Sequence, residues 1–161
     1  MTPLTPPNSI HLEAAQGWLE LGNHQEAFDE LEEIEPELRG HPDVLELRWY
    51  IYQRAEKWDH CNEIADALVR MVPERTSGWV HRSYSLHRLK RTQEAYDQLK
   101  PALDTFKEEW LLWYNLACYA CVLGNKTEAR KLLSKSIELG GDAVKQKALD
   151  DEDLEGVWGG E

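Results

Sequence analysis

The sequence predicts an all-α protein in which four helix-turn-helix repeats form a solenoid and one more helix caps its C-terminal end. Similar segments recur every 34 residues, and each repeat carries apolar residues at helical spacing. After the fourth repeat, the helix breaker Gly140-Gly141 precedes a further amphipathic stretch. Together these observations indicate a helical repeat array with an added C-terminal cap.

The period is kept without insertion or deletion. The segment "GNHQEA" (22–27) aligns with "EKWDHC" (56–61), "KRTQEA" (90–95) and "GNKTEA" (124–129), so the repeats cover about 8–41, 42–75, 76–109 and 110–141. One small residue recurs at the same place in every repeat: Ala27, Cys61, Ala95 and Ala129. A plain helical bundle is the alternative, but chance similarity rarely keeps so strict a register.

Each repeat divides into two helices around a short polar turn. Residues 1–8, "MTPLTPPN", should be extended or disordered, because a helix cannot start before its prolines. The apolar pattern then predicts helices near 9–21 and 25–38, 42–55 and 59–72, 76–89 and 93–106, and 110–123 and 127–139.

The last 20 residues (142–161) are predicted to hold the capping helix and an acidic tail. "DAVKQKAL" (142–149) forms the capping helix, with Asp142 as its N-cap. In the tail, the spacing of Leu154, Val157 and Trp158 predicts a short helical turn that tucks Leu154 or Trp158 onto the array. A tail exposed to solvent is the alternative.

Composition and charge exclude several functional classes. The net charge is −12 and the pI is near 4.9, which disfavours nucleic acid and anionic membranes as partners. The charge is uneven: residues 1–41 carry −8 and residues 142–161 carry −5. The apolar run Trp110–Leu123 is too short to span a bilayer, which takes about 20 residues. With no signal-like N-terminus and three cysteines, the sequence favours a cytoplasmic location.

Cys118 and Cys121 form a CxxC motif inside this apolar run. A redox CxxC places its first thiol at a helix N-terminus, where the thiol pKa falls. Here both cysteines lie eight or more residues into the predicted helix, and no further zinc ligands follow at suitable spacing. We therefore expect packing cysteines, with no metal and no cofactor.

The repeats resemble the tetratricopeptide repeat (TPR) family over about residues 8–141. The fourth repeat carries the resemblance most clearly, with Trp113, Leu116-Ala117, Gly124-Asn125, Ala129 and Leu133. The resemblance implies a right-handed superhelix whose concave groove is lined by the first helix of each repeat. The second repeat departs from the family pattern, because Trp49 replaces a small residue and Ala65 replaces a large one. We expect the Trp49 indole to fill the space that residue 65 normally occupies.

The resemblance implies that the groove binds extended peptides or a partner helix. Transferring the groove positions gives a set rich in aromatic and basic side chains: Tyr50, Arg54, His81, Tyr84, His87, Arg88, Tyr114 and Asn115. Such side chains suit a binding surface, and we expect a short acidic or carboxylate-ended ligand near Arg54, His81, Tyr84 and Arg88. Tyr84 and Tyr114 could instead pack between repeats.

The predicted function is that of a non-enzymatic protein-interaction module or scaffold, present as a monomer or weak homodimer. The sequence has no glycine-rich phosphate loop, HExxH or GxSxG motif, and no catalytic residues are assigned. One alternative is self-association through an apolar array edge formed by Ile10, Leu12, Trp18 and Leu21. Another is a co-chaperone-like clamp for a carboxylate tail, for which only Asn115 matches the family pattern.

Overall fold

The computed structural model describes residues 2–158, and within that range the chain is helical with no strand. Its helices are α1 (Asn8–Glu20), α2 (His24–Leu31), α3 (Pro42–Arg54), α4 (Trp58–Met71), α5 (Thr76–Arg88), α6 (Thr92–Leu99), α7 (Trp110–Val122), α8 (Lys126–Gly140), α9 (Asp142–Leu149) and α10 (Glu155–Trp158). Helices α1 to α8 form four helix-turn-helix pairs, which confirms the predicted all-α repeat fold.

Two helices are shorter than the apolar pattern predicts. Helix α2 ends at Leu31 rather than near residue 38, and α6 ends at Leu99 rather than near residue 106. In both repeats a short 3₁₀ helix with a proline in its first turn follows: Pro36–Leu38 and Lys100–Asp104. Proline lacks a backbone N–H and its ring clashes with the preceding turn, so an α-helix cannot continue through it.

The chain divides into two compact units, Met1–His81 and Arg82–Glu161. The boundary falls inside α5, which contributes residues to both. The core of the first unit is built from α1, α2, the turn after α2, and α3. Its residues are Ala15, Leu19, Ala27, Leu31, Ile34, Val44, Leu47 and Ile51. These residues form one continuous apolar cluster.

The second unit is centred on α7. This helix packs against α6, α8 and the 3₁₀ helix Glu152–Leu154. Its buried residues point in several directions around the helix: Leu112, Tyr114, Leu116, Ala117, Cys118, Tyr119 and Ala120. The sequence of α7 is apolar all round because neighbours cover most of its surface. Within the described residues, no helix is both long enough and apolar enough to cross a membrane.

The recurring small residue lies at the centre of each repeat. Ala27, Cys61, Ala95 and Ala129 are all completely buried. In the second repeat, Trp49 and Ala65 are also buried, as the expected exchange of volumes requires. The Trp49 indole stacks on the His81 ring, with the centroids 3.9 Å apart and the planes 14° from parallel.

The segment before α1 is not helical, but it is anchored to the first unit. Leu4 packs against the first core, and His41 Nε2 lies 2.9 Å from the Thr2 carbonyl oxygen. Asn8, the first residue of α1, is buried; its side chain accepts a hydrogen bond from the Glu35 backbone N–H at 3.0 Å. The prolines prevent a helix here, as predicted, but these contacts hold the segment in place.

The turns between paired helices repeat as regularly as the core. Gly22, Glu56, Lys90 and Gly124 are spaced by 34 residues and all have positive φ, at 83°, 54°, 65° and 87°. Glycine adopts this left-handed conformation readily, whereas a residue with a side chain loses about 1–2 kcal/mol in it.

The residue after each turn is the N-cap of the second helix of the pair. The Asn23 and Asn125 side chains accept hydrogen bonds from the backbone N–H three residues on, at 3.0 and 3.2 Å. The matching Lys57 and Arg91 make no such bond. The first and fourth turns are therefore locally better satisfied than the middle two.

Glycine at the two middle turns should stabilise the protein. We expect Glu56→Gly and Lys90→Gly each to raise the free energy of unfolding by about 1 kcal/mol, because they relieve the left-handed backbone. Gly124→Ala should lower it by a similar amount. Urea denaturation followed by circular dichroism measures these changes. Equal stability of all three variants and the wild type would contradict the assignment of strain to these turns.

Candidate functional site

The eight predicted groove residues are divided between the two compact units. Tyr50, Arg54 and His81 belong to the first unit. The second unit holds the other five, which are Tyr84, His87, Arg88, Tyr114 and Asn115. The two groups differ in their surroundings: the first borders an open cavity, while the chain itself covers much of the second.

In the first unit, α1 and α3 enclose a cavity of about 420 Å³. Its apolar lining comes from three leucines and a tyrosine ring, and its polar lining from charged and amide groups: Leu12, Leu19, Leu47, Tyr50, Gln16, Glu20, Asp43, Glu46 and Arg54. Two of the predicted residues, Tyr50 and Arg54, therefore border a concave surface.

Neighbouring aromatic rings hold the Tyr50 ring in place. It meets Trp49 and His81 edge-to-face, each at 5.1 Å between centroids, and remains 42% exposed. Partial burial, and then the nearby Glu46 carboxylate, raise the pKa of the Tyr50 hydroxyl, which stays protonated at neutral pH. Arg54 Nη1 donates to the Leu19 carbonyl oxygen at 3.3 Å, so its guanidinium is also positioned by α1.

The cavity rim is more acidic than basic. Glu20, Asp43 and Glu46 line it together with Arg54 as the single cation of the lining. Arg75 pairs with Asp43 at 2.9 Å and with Glu46 at 3.6 Å, and the Ser77 hydroxyl donates to Glu46. These contacts hold two of the three carboxylates at fixed positions.

His81 lies in the core rather than on an accessible surface. It is 7% exposed and stacked on Trp49, and burial lowers its pKa to about 4. The groove assignment failed for this residue because Trp49 fills the position of a small residue and takes the His81 ring as its packing partner. His81 is therefore neutral at neutral pH and holds Tyr50 in place from behind.

In the second unit, Tyr114 is covered by the residues after α9. Residues 150–158, "DDEDLEGVW", are named the acidic tail. The Tyr114 hydroxyl donates to Asp151 Oδ2 at 2.7 Å, and only 2% of the residue is exposed. Burial and this hydrogen bond raise the pKa of Tyr114, which therefore acts as a donor.

His87 makes a second contact with the acidic tail. Its Nε2 lies 3.1 Å from Asp153 Oδ2, and its Nδ1 lies 3.0 Å from the Thr92 hydroxyl. The ring also packs at 5.0 Å from the ring of Tyr119. These contacts orient the imidazole so that one nitrogen faces the tail carboxylate.

The other predicted residues of the second unit surround these contacts. Arg88 is exposed, and its Nη1 donates to the Tyr84 hydroxyl at 3.4 Å. Asn115 is half-buried. A cavity of about 740 Å³ lies between basic and aromatic side chains and the tail carboxylates, lined by Tyr84, His87, Arg88, Lys90, Lys147, Asp150, Asp151, Glu152 and Asp153. The sequence analysis did not include the lysines and the tail acids in the site. The signal that indicates them is the charge contrast between residues 76–141, which are net positive, and residues 142–161, which carry −5.

Apolar side chains anchor the acidic tail beside its carboxylates. Leu154 is fully buried and Val157 is 8% exposed. The Trp158 indole N–H donates to the Ala148 carbonyl oxygen of α9 at 3.1 Å, although the ring is 40% exposed. The tail is therefore docked, by a 3₁₀ turn and α10, as the spacing of its apolar residues predicts. One detail differs, since Gly141 and not Asp142 is the N-cap of α9.

Two of the three cysteines, Cys118 and Cys61, lack the environment of a reactive thiol. Cys118 is buried, and burial together with Asp151 raises the pKa of its thiol. Burial also raises the pKa of the Cys61 thiol to about 12. A reactive thiol needs a lowered pKa, so both behave as packing residues.

A further cavity of about 720 Å³ in the second unit involves none of the eight predicted residues. Its lining mixes three lysines and three acids with apolar groups: Lys100, Lys107, Lys135, Asp97, Asp104, Glu108, Pro101, Leu103 and Trp113. The Trp113 indole donates to the Lys107 carbonyl oxygen at 2.9 Å. Because the charges there are balanced and surface-exposed, this cavity shows no preference for one class of ligand.

Comparison with known proteins identifies the fold. No family model and no curated protein matches the sequence. Among solved structures, MamA 41-end from Desulfovibrio magneticus RS-1 is similar, with a TM-score of 0.74 and 13% identity, over 94% of this chain and 89% of that one. A double mutant, MamA RS-1 ArsTM, has a TM-score of 0.73 and 14% identity, with 85% and 77% covered.

YrrB, described as a TPR protein with an unusual peptide-binding site, is also similar. Its TM-score is 0.64 and its identity is 12%, with 91% of this chain and 80% of that chain covered. At such identities the likeness establishes the fold alone. The chain has the TPR fold, as the 34-residue repeats predict.

Burial of His81 should make the first unit less stable in mild acid. Below pH 6.5 the unfolded chain takes up a proton at His81, whereas the folded chain does so only near its pKa of about 4. This contribution is complete above pH 6.5 and declines as the pH falls toward 4, by about 2 kcal/mol at about pH 5. His81→Phe keeps a ring against Trp49 and should lack this loss. Urea titrations at about pH 7.5 and 5 compare the two proteins, and an identical pH dependence would contradict the assignment.

Proposed function

We propose that the protein is a non-enzymatic interaction module that binds a segment of a partner protein in the cavity of the first unit. The cavity between α1 and α3 carries this proposal, because it joins an apolar floor to a polar rim and includes the predicted residues Tyr50 and Arg54. Its volume of about 420 Å³ lies in the range of small ligand sites, and one or two partner side chains would fill it.

The side chains of this cavity suit protein recognition. Tyrosine and arginine are the residues most often found at the energetic centres of interfaces, where they provide rigid contact area and directed hydrogen bonds. Tyr50 is held by Trp49 and His81, and Arg54 is held by α1, so both lose little conformational freedom on binding. The peptide-binding site described for YrrB, which shares the fold, supports the same kind of role.

The charges of the cavity favour a particular partner chemistry. The carboxylates of Glu20, Asp43 and Glu46 outnumber the two cations, Arg54 in the lining and Arg75 paired with Asp43 and Glu46. Residues 1–41 also carry a net charge of −8. An apolar side chain next to a lysine or arginine would match the leucine floor and the acidic rim. An acidic or carboxylate-ended partner fits this cavity less well, because like charges would meet; that chemistry has better support in the second unit.

Removing the Tyr50 and Arg54 side chains should weaken binding strongly. Peptides selected from a displayed library on the wild-type protein should combine an apolar side chain with lysine or arginine. Tyr50→Ala/Arg54→Ala should weaken their binding by more than about tenfold, because two contacts with the partner are lost.

The matched control is Tyr96→Ala/Arg70→Ala, which removes the same residue types outside the cavity. Arg70 is largely exposed and pairs only with Asp66 of its own helix among the ion pairs of the described residues, and Tyr96 donates to Glu128 in the second unit. Fluorescence anisotropy with labelled peptides compares the three proteins. Equal affinity of all three, or selection of acidic peptides that need Tyr50 and Arg54, would contradict the proposal.

Self-association through the first helix is a second candidate function. Ile10, Trp18 and Leu21 of the predicted array edge are 57%, 37% and 78% exposed. Leu12 differs, because it packs against the first core and lines the cavity. A carboxylate clamp would require a lysine in place of Leu12. The apolar Leu12 side chain therefore gives little support to that alternative.

A charged residue at this edge should test self-association. If the exposed stripe joins two copies, the sedimentation coefficient of the wild-type protein should rise with concentration, and Trp18→Glu should remove the rise. Sedimentation velocity over about a hundredfold concentration range measures the effect. A constant sedimentation coefficient for the wild type would exclude this candidate and leave the cavity as the proposed interaction site.

A further inference from the structure

Two predicted groove residues of the second unit already contact an acidic segment, which is the chain's own acidic tail. Tyr114 and His87 contact two tail carboxylates, Asp151 at 2.7 Å and Asp153 at 3.1 Å. These two donors belong to α7 and α5, the first helices of successive repeats. The surface is therefore shaped to receive carboxylates spaced two residues apart.

The apolar part of the tail provides a second element of recognition. Leu154, directly after the second carboxylate residue, is fully buried, and Val157 is 8% exposed. Gly156 between them lies so close to α7 that a Cβ atom there would come within 3.3 Å of Cys121 Sγ. The surface thus contacts both the carboxylates and the apolar side chains of a seven-residue segment, 151–157.

The charge around this surface favours the same chemistry. Arg88, Lys90 and Lys147 line the cavity beside the tail. The third and fourth repeats carry net charges of +1 and +2, whereas residues 142–161 carry −5. A cationic surface attracts an acidic segment at longer range and then pairs with it on contact.

The acidic tail is bound in a way that permits exchange. It consists of a 3₁₀ turn and a four-residue helix after α9, and such short elements open more easily than core helices. Glu152 and Glu155 are exposed, and the Asp153 side chain is 42% exposed. Water and competing carboxylates therefore have access to the pairing groups.

We propose that this surface of the second unit binds an acidic segment of a partner protein and that the acidic tail is its intramolecular competitor. The partner segment would carry two carboxylates spaced like Asp151 and Asp153, followed by apolar residues placed like Leu154 and Val157. This site is separate from the cavity of the first unit and has the opposite charge preference. Binding of such a partner requires release of the tail.

A peptide with the tail sequence tests the proposal directly. The probe is synthetic "DDEDLEGVW", and its control is the uncharged "NNQNLQGVW". Binding to the full-length chain is measured by isothermal titration calorimetry. The wild-type chain should bind the acidic peptide weakly, because its own tail occupies the site, and should not bind the uncharged peptide.

Variants that weaken tail docking should bind the peptide more tightly. Asp151→Asn/Asp153→Asn removes the two carboxylates that contact Tyr114 and His87, and the affinity should rise at least about tenfold as competition is lost. The matched control Asp142→Asn/Glu155→Gln changes the net charge by the same amount at exposed positions that do not line the cavity. It should bind the peptide like the wild type.

A second variant releases the tail without changing its charge. A Cβ atom at residue 156 would lie 3.2 Å from Lys126 Cε and 3.3 Å from Cys121 Sγ. Gly156→Val adds two further methyl groups to this crowded position and should also raise the affinity for the acidic peptide. The reaction of Cys118 with a thiol reagent reports tail release, because this residue is 5% exposed and lies 3.9 Å from Asp151. The expected result is a faster reaction in both tail variants and an unchanged reaction in the control Asp142→Asn/Glu155→Gln.

Two outcomes would overturn the inference. The first is equal affinity of all variants for the acidic peptide, combined with faster Cys118 reaction in the tail variants. This result would show that the surface left by the tail is not a binding site. A wild-type dimer that dissociates in Asp151→Asn/Asp153→Asn would show that the tail is exchanged between two copies of the chain instead of competing with a partner. Failure of either kind leaves the cavity of the first unit unaffected.

Discussion

The structure depends on how closely the paired helices can approach, and one small buried residue per repeat sets that distance. Ala27, Cys61, Ala95 and Ala129 are completely buried, and a larger side chain at any of them would push two helices apart. Within each unit, the paired helices keep their positions because this packing recurs. Each candidate surface thus depends on buried residues that do not line it.

Features that repeat with the chain could be predicted from the sequence, because each depends on local residues. The helix starts follow from the 34-residue register, and the capping helix follows from Gly140-Gly141 and the apolar spacing after it. The ends of α2 and α6 were placed too late, since apolar spacing continues past Leu31 and Leu99 while proline has already ended the helix. A pattern of apolar residues cannot by itself show whether an α-helix or a 3₁₀ turn carries it.

The candidate sites were predictable only in part, because they depend on contacts between distant residues. Tyr50 and Arg54 border a cavity, as their positions imply, whereas His81 is drawn under Trp49 by a substitution in a different repeat. Tyr114 is a predicted groove residue, yet Asp151, 37 residues further along the chain, contacts its hydroxyl. Position within a repeat indicates where a side chain starts, and only the folded chain shows what lies against it.

The turns between paired helices and the buried centres of the repeats vary independently of each other. Glycine-asparagine at 22–23 and 124–125 makes the same left-handed bend as the charged pairs at 56–57 and 90–91. All four bends join helices that keep a small buried residue at the same place. Trp49 shows the opposite situation, in which a change in packing recruits a partner from the next repeat. A turn of this protein could therefore be replaced by the turn of another repeat without changes elsewhere. A core residue, in contrast, has to be exchanged together with the residues packed against it.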